Sequence, residues 1–233
     1  MIIVVGGIKG GTGKSTIAFH LATHAFLSGK KIMTYDCDYP QFSFSRYYEN
    51  RKKNKTVKTW EEHYPIKDIS NMPEMKNDVI NIIDTPGRYD ENILNIHKKA
   101  DIIITPINDS FMDIDTVMKI EQERWTQPGQ YYQVIFENKK NMKESLWLVV
   151  RNRSSNVNSK HKKLVEEKLN DLAKRLNFTV MKGLKERNIF RELFSHGLTV
   201  LDIESNKMAI SHLAAKMEIK TIWKSIDESI NHK

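Results

Sequence analysis

The sequence predicts an α/β chain: a mostly parallel, doubly wound sheet with helices on both faces. Three observations carry this. Short apolar runs rich in β-formers recur along the chain. Most of them are continuous rather than alternating, as strands buried on both faces are. Helical periodicities stand between them, and strand–helix alternation builds parallel sheets through right-handed crossovers.

In order, the strand-like runs are 2–5, 32–35, 79–83, 102–105, 146–150, a weaker 178–181, and 198–203. The first helix is read over 15–28, with Ile17, Leu21 and Ala25 beside Ala18, Ala22 and Phe26, and Gly29 to stop it. A second is read over 160–176, where Leu164, Val165, Leu169, Leu172, Ala173 and Leu176 share one side and charges the other. The tail at 210–230 spaces Leu213, Met217, Ile222, Trp223, Ile226 and Ile230 helically. That stripe fits a helix closing on the sheet, or one lying on a membrane; Glu218, Asp227 and Glu228 weigh against the membrane. Residues 51–78, with Pro65 and Pro73, read as an irregular excursion, and 126–145, with Pro128-Gly129, as a loop or hairpin. With no repeat and no long linker, one domain over 1–233 is expected.

Composition narrows the classes. The single cysteine, Cys37, excludes a disulfide framework and an iron–sulfur cluster held by this chain alone. Apolar runs of about five residues are too short for a transmembrane helix, and Met1-Ile2-Ile3-Val4-Val5-Gly6 lacks the basic region of a signal peptide, so a cytoplasmic address is expected. The net charge of +8 is uneven. Residues 139–188 carry 14 basic and 5 acidic side chains and 46–58 carry six and one, so the rest of the chain sums to −6. Two basic segments on a mildly acidic body suit a polyanionic partner, or are lysine-rich solvated surface.

The most informative segment is Lys9-Gly10-Gly11-Thr12-Gly13-Lys14-Ser15-Thr16, between the first strand and the first helix. Glycines let the backbone wrap a phosphate and turn several N–H groups toward it, and the helix N-terminus adds partial positive charge. Lys14 is placed to reach the β- and γ-phosphates and Ser15 to ligate Mg²⁺. This is a P-loop, so the fold class is that of P-loop NTPases, with ATP and Mg²⁺ as expected cofactors.

Carboxylates end two later runs: Asp36 and Asp38 in Tyr35-Asp36-Cys37-Asp38, and Asp84 in Ile82-Ile83-Asp84-Thr85-Pro86-Gly87. At strand carboxyl ends beside a P-loop they can hold Mg²⁺ directly or through water; Asp36 or Asp38 can equally cap a following helix. Asn152, in Val149-Val150-Arg151-Asn152-Arg153, offers the donor and acceptor that an adenine edge needs, though asparagine after a strand is also a common turn residue.

The P-loop departs from the usual pattern: Ile8 stands where its first glycine would be, and Lys9 opens the loop. It resembles the deviant P-loop of the ParA/MinD superfamily of dimerising ATPases. The resemblance implies that Lys9 crosses a dimer interface to the partner's nucleotide, that Asp38 orients the attacking water, that Asp36 helps organise the Mg²⁺ shell, that Asp84 is the Walker B carboxylate, and that Asn152 reads the base. Lys9 adding potential only to its own site is the alternative. Within the superfamily, Thr105-Pro106-Ile107-Asn108-Asp109-Ser110-Phe111, Arg151-Asn152-Arg153 and Arg191-Glu192-Leu193-Phe194 are similar to the MipZ family of division-plane positioning ATPases.

That resemblance implies an ATP-dependent homodimer, non-specific DNA binding with nucleoid association, contact with ParB, inhibition of FtsZ polymerisation, and no stable membrane insertion. Lys160, Lys163, Lys185 and Arg187 are the candidate DNA contacts; Leu164 stands where a further basic residue is expected, with Lys162 beside it. Arg88 replaces a common second glycine and is read either as a γ-phosphate sensor or as pointing to solvent. A ParA-type partition ATPase is the near alternative, and a small-molecule P-loop kinase the distant one.

Overall fold

The computed structural model describes residues 1–88, 90–121, 124–139, 145–154, 160–204, 206 and 208–231. Its elements in chain order are β1 (Ile2–Val5), α1 (Lys14–Leu27), β2 (Ile32–Asp36), α2 (Ser43–Lys53), β3 (Glu62–Pro65), β4 (Ile80–Asp84), α3 (Glu91–Lys98), β5 (Ile102–Ile107), α4 (Phe111–Ile114), β6 (Met118–Glu121), β7 (Arg124–Pro128), α5 (Gln130–Lys139), β8 (Leu146–Arg151), α6 (Lys160–Leu176), β9 (Thr179–Lys182), α7 (Ile189–Ser195) and α8 (Ile210–Asn231).

Seven strands form one parallel sheet in the order β3-β2-β4-β1-β5-β8-β9. Apolar residues of the central strands alternate between two cores. Ile3, Val5, Ile82, Ile104 and Leu148 point into a core closed by α1, α2 and α8. Val4, Ile83, Ile103, Trp147 and Val149 point into a second core with Val165, Leu169 and Leu172 of α6. Burial on both faces explains the unbroken apolar runs. The chain order reverses about β1, which pairs with β4 on one side and β5 on the other, so loops at the carboxyl ends of these strands open a crevice there.

Three sequence expectations need correction. The run at 198–203 is a turn, not a strand: the Thr199 amide and hydroxyl both donate to Asp202 Oδ2, at 2.8 and 2.9 Å. The 51–78 excursion holds the end of α2 and strand β3, which pairs with β2 alone. Within 126–145, β7 closes an antiparallel ribbon with β6 and α5 comes next; 140–144 lies outside the described residues.

Helix α2 is mostly polar, yet Phe44, Tyr47, Tyr48 and Arg51 are buried along one stripe. Tyr47 stacks on Phe19 of α1 at 4.1 Å, a contact type that adds about 1 kcal/mol beyond burial. Arg51 is wholly buried. It donates to both Asp202 carboxylate oxygens at 2.9 and 2.8 Å, to Gly197 O at 3.1 Å and to Lys58 O at 3.0 Å. Helix α8 packs on α1 and β9 through a face that includes Ala215, Ile219, Ile222, Trp223 and Ile226. Leu213 and Met217, expected on that stripe, are instead about half exposed, so the buried face is rotated from the predicted one. Among the described residues no helix is long and apolar enough to cross a membrane.

Candidate functional site

The loop after β1 runs beneath the sheet's carboxyl edge and ends at Gly13, which has φ 91° and precedes α1. A Cβ there would collide with the Asn152 amide, so glycine is required by conformation and by space. Asn152 is buried. Its Nδ2 donates to Thr12 O at 2.7 Å and its Oδ1 accepts from the Leu184 amide at 3.1 Å. Both ends of the amide are thus committed to main chain, and Asn152 braces the P-loop against β8 and the segment after β9. Asn152 also lines a smaller cavity beside the loop, and its amide has a second N–H and a second lone pair beyond these two bonds.

Gly10, Gly11, Gly13, Lys14, Ser15 and Thr16 line a cavity of about 620 Å³ with Asp38, Pro86, Gly87, Arg88, Arg153 and Phe194. Gly87 approaches so closely that a Cβ on it would lie 2.9 Å from Gly10 N, which fixes the loop after β4 to the P-loop. Thr12 is buried below, and its carbonyl is bonded to Asn152. Lys14 is buried and its Nζ donates to Lys9 O at 2.8 Å. Burial lowers its pKa, while the Asp84 and Asp38 charges oppose that shift.

The three strand-end carboxylates differ. Asp36 Oδ2 accepts from the Ser45 amide at 2.8 Å and Oδ1 from the Asp38 amide at 3.1 Å, so it orders the start of α2 and the turn bearing Asp38. Asp84 is wholly buried, and neither carboxylate oxygen has a hydrogen-bond partner among the described residues. Burial, then the nearby Asp36 charge, pushes its carboxyl well above the ordinary range; the Ser15 hydroxyl and Lys14 pull the other way. Asp38 is half-buried on the cavity wall, raised by burial and lowered by Lys14 and Arg88.

A buried carboxylate without a hydrogen-bond partner, beside a hydroxyl, offers the oxygen ligands that a hard divalent cation takes. No group of three or more His, Cys, Asp or Glu converges as a metal cage among the described residues. Mg²⁺ needs none, because it keeps waters and is held by few protein oxygens plus phosphate.

Lys9 pairs with Asp113 at the start of α4, whose Oδ2 also accepts from the Asn108 amide at 2.8 Å. Sequence reasoning missed Asp113, which lies 104 residues from Lys9 and is found only by folding. It also missed Arg153 and Phe194, which line both the main cavity and an adjoining one of about 220 Å³ with Asn152, Leu184 and Phe190. Arg153 has φ 49°; the arginine after Asn152 was the available signal. Arg88 lines the cavity, reaches Tyr39 O at 3.3 Å and remains exposed.

The candidate DNA residues lie apart from this cavity's floor. Lys160 and Lys163 are exposed on α6, and Lys185 is exposed after β9. Arg187 is largely buried, and its guanidinium donates to both Glu218 carboxylate oxygens at 2.6 and 2.7 Å.

The sequence model of the family described as ATPase MipZ matches residues 1–81 and 57–229. No curated protein matches the chain. Among solved structures, the ATP complex of McdA from Cyanothece superposes with a TM-score of 0.64 at 13% identity, over 94% of this chain and 96% of that one. A plasmid partition protein from Borrelia burgdorferi bound to AMPPNP gives 0.60 at 18% identity, over 96% and 98%. MinD from Aquifex aeolicus in its complex with MinC gives 0.60 at 15% identity, over 96% and 95%. These identities speak to the fold, and the family match to the kind of enzyme: the chain belongs to the family described as ATPase MipZ.

Proposed function

We propose that this ATPase is a dimerising switch that positions the division plane. ATP joins two copies through Lys9 in trans; the dimer holds DNA without sequence preference, meets ParB and inhibits FtsZ polymerisation; hydrolysis separates the copies. The protein acts in the cytoplasm, associated with the nucleoid. The observation that carries the reading is a P-loop with a second lysine at its lip, faced by Asp38 and Asp84 from adjacent strand ends.

In this reading the loop amides and Lys14 hold the β- and γ-phosphates, and Lys14 exchanges the Lys9 carbonyl for phosphate oxygen. Ser15 and Asp84 would hold Mg²⁺, with Asp36 acting behind them on the turn that carries Asp38. When bound, Mg²⁺ neutralises charge developing on the phosphates. Asp38 orients water for in-line attack on the γ-phosphorus, and the cavity arginines Arg88 and Arg153 face the same space. To reach a partner's nucleotide, Lys9 leaves Asp113.

A ParA-type partition role is the second reading, supported by the whole-length likeness to a plasmid partition protein. One pair of experiments separates them. Gel filtration of wild type and Asp38→Ala with ATP should show dimer, persistent in the variant. Adding the ATP-bound dimer to FtsZ should shorten or abolish polymers. Dimers that leave FtsZ polymers unchanged favour the partition reading; no dimer at all overturns the switch.

A further inference from the structure

The second basic segment, 46–58, is not accounted for by the nucleotide site. We propose that the outer side of α2 and the loop at 54–58 form a second surface for the phosphate backbone of duplex DNA, separate from α6. This surface rests on the DNA-binding function proposed for the dimer and adds a contact to it.

Five basic side chains stand outward here: Arg46, Lys52, Lys53, Lys55 and Lys58 are all exposed. None of the five forms an ion pair with a carboxylate among the described residues. Glu49 is the single acidic residue of the segment, and Arg51, the sixth cation, is consumed inside by Asp202. The outward balance is therefore five basic against one acidic. Lysines in the last turn of α2 also complement the helix dipole, but Lys55 and Lys58 lie beyond the helix, where that account does not reach.

The surface is held rigidly. Arg51 Nε donates to Lys58 O at 3.0 Å, and Asn54 accepts from the Thr56 amide and hydroxyl at 3.0 and 2.7 Å while its Nδ2 reaches His196 O at 2.9 Å. A loop pinned on both sides presents its lysines without the ordering cost that a free lysine-rich loop would meet on binding. Arg46 lies over the Phe194 ring, 5.9 Å from its centroid, and Phe194 lines the nucleotide cavity, so one end of the surface adjoins the ATP site.

Charge without apolar anchors decides the class of partner. A folded protein partner needs a desolvated aromatic or aliphatic centre. No large hydrophobic of segment 46–58 is exposed; the adjoining cavity shows only Leu27 of α1 half exposed. A phosphate backbone asks for fixed cations and nothing more. The surface lies on the α1/α2 side of the sheet, whereas α6 packs on the other core, so the two surfaces make separate contributions.

The test is binding of a mixed-sequence duplex by the full chain with ATP, as a function of salt, for wild type, K52Q/K53Q/K55Q and K160Q/K163Q. Nucleotide-dependent dimerisation is measured alongside to establish folding. Each lost phosphate contact flattens the log–log salt slope by about 0.9. The α2-side variant should dimerise normally, bind about tenfold or more weakly at moderate salt, and have a slope shallower by about 2 to 3, with the α6-side variant adding an independent loss. A dimerising α2-side variant with wild-type affinity and slope overturns the second surface and leaves DNA binding by the dimer intact. Failure of wild-type dimer to hold DNA overturns DNA binding itself. Competition by poly-glutamate as strong as by duplex of equal charge overturns the nucleic-acid assignment.

Discussion

Asp36 and Asp84 stand directly across from one another at the ends of β2 and β4, and both are fully buried. Asp36 is satisfied by two backbone N–H donors. Asp84 has none among the described residues and faces Ser15 and Lys14 instead. Identical side chains in equivalent register are divided by the path the chain takes on leaving each strand. After β2 the chain turns back so that its amides meet the carboxylate; after β4 it leaves through Thr85-Pro86-Gly87 toward the P-loop. A satisfied carboxylate builds the fold, and an orphaned one stores electrostatic strain that a cation relieves.

The largest effect should come from removing the orphan. Asp84→Asn should cut ATP turnover about 100-fold or more, measured by phosphate release. The same variant should unfold at higher denaturant concentration than wild type without nucleotide, because the cost of taking an ionisable carboxyl out of water is gone. A loss of stability would break the contrast between the two strand ends. Asp36→Ala should do the reverse and destabilise the protein by about 1–2 kcal/mol in urea titrations, since two amides lose their acceptor. A third measurement concerns the ion: with ATP present, Mg²⁺ chelation should remove most of the thermal stabilisation of wild type and much less of that of Asp84→Asn.

The smallest effect is a slope against pH. The folded-state pKa of Asp84 lies above its unfolded value, so the folded state holds that proton longer. Stability from this group is therefore fully present below the unfolded carboxylate pKa of about 4 and declines as pH rises toward the folded value. Buried neutral histidines oppose it. His20 and His97 are held down to about 4 and His63 to about 3, chiefly by burial. Their contribution is present above about 6.5 and lost as pH falls. Wild type minus Asp84→Asn isolates the carboxylate: the difference should grow against wild type from pH 4 toward neutrality, read as urea midpoints without nucleotide.

Local patterns carried the parts of the structure that local physics determines. The P-loop, the central strands and helix α6 were legible because glycine spacing, unbroken apolar runs and a helical stripe each encode them directly. Strand β3 was not: Glu62-His63-Tyr64-Pro65 has no apolar run, being an edge strand paired on one side. The run at 198–203 was misleading because Asp202 overrides β-propensity by capturing Thr199 and Arg51. Partnerships such as Lys9 with Asp113, Arg187 with Glu218 and Asn152 with Thr12 join distant positions, and a charged residue read alone carries no mark of whether it is already paired.

The brace between Asn152 and Thr12 spans 140 residues, and the Arg51–Asp202 pair spans 151. Both join the first quarter of the chain to parts synthesised much later. A growing chain that has emerged only through β5 contains every residue of the P-loop but neither Asn152 nor Asp202. Its phosphate loop is therefore unbraced, and α2 carries an arginine with no counter-ion. Non-local closure of this kind comes late in folding. The brace on the phosphate loop thus closes only once β8 and the residue after it have been made.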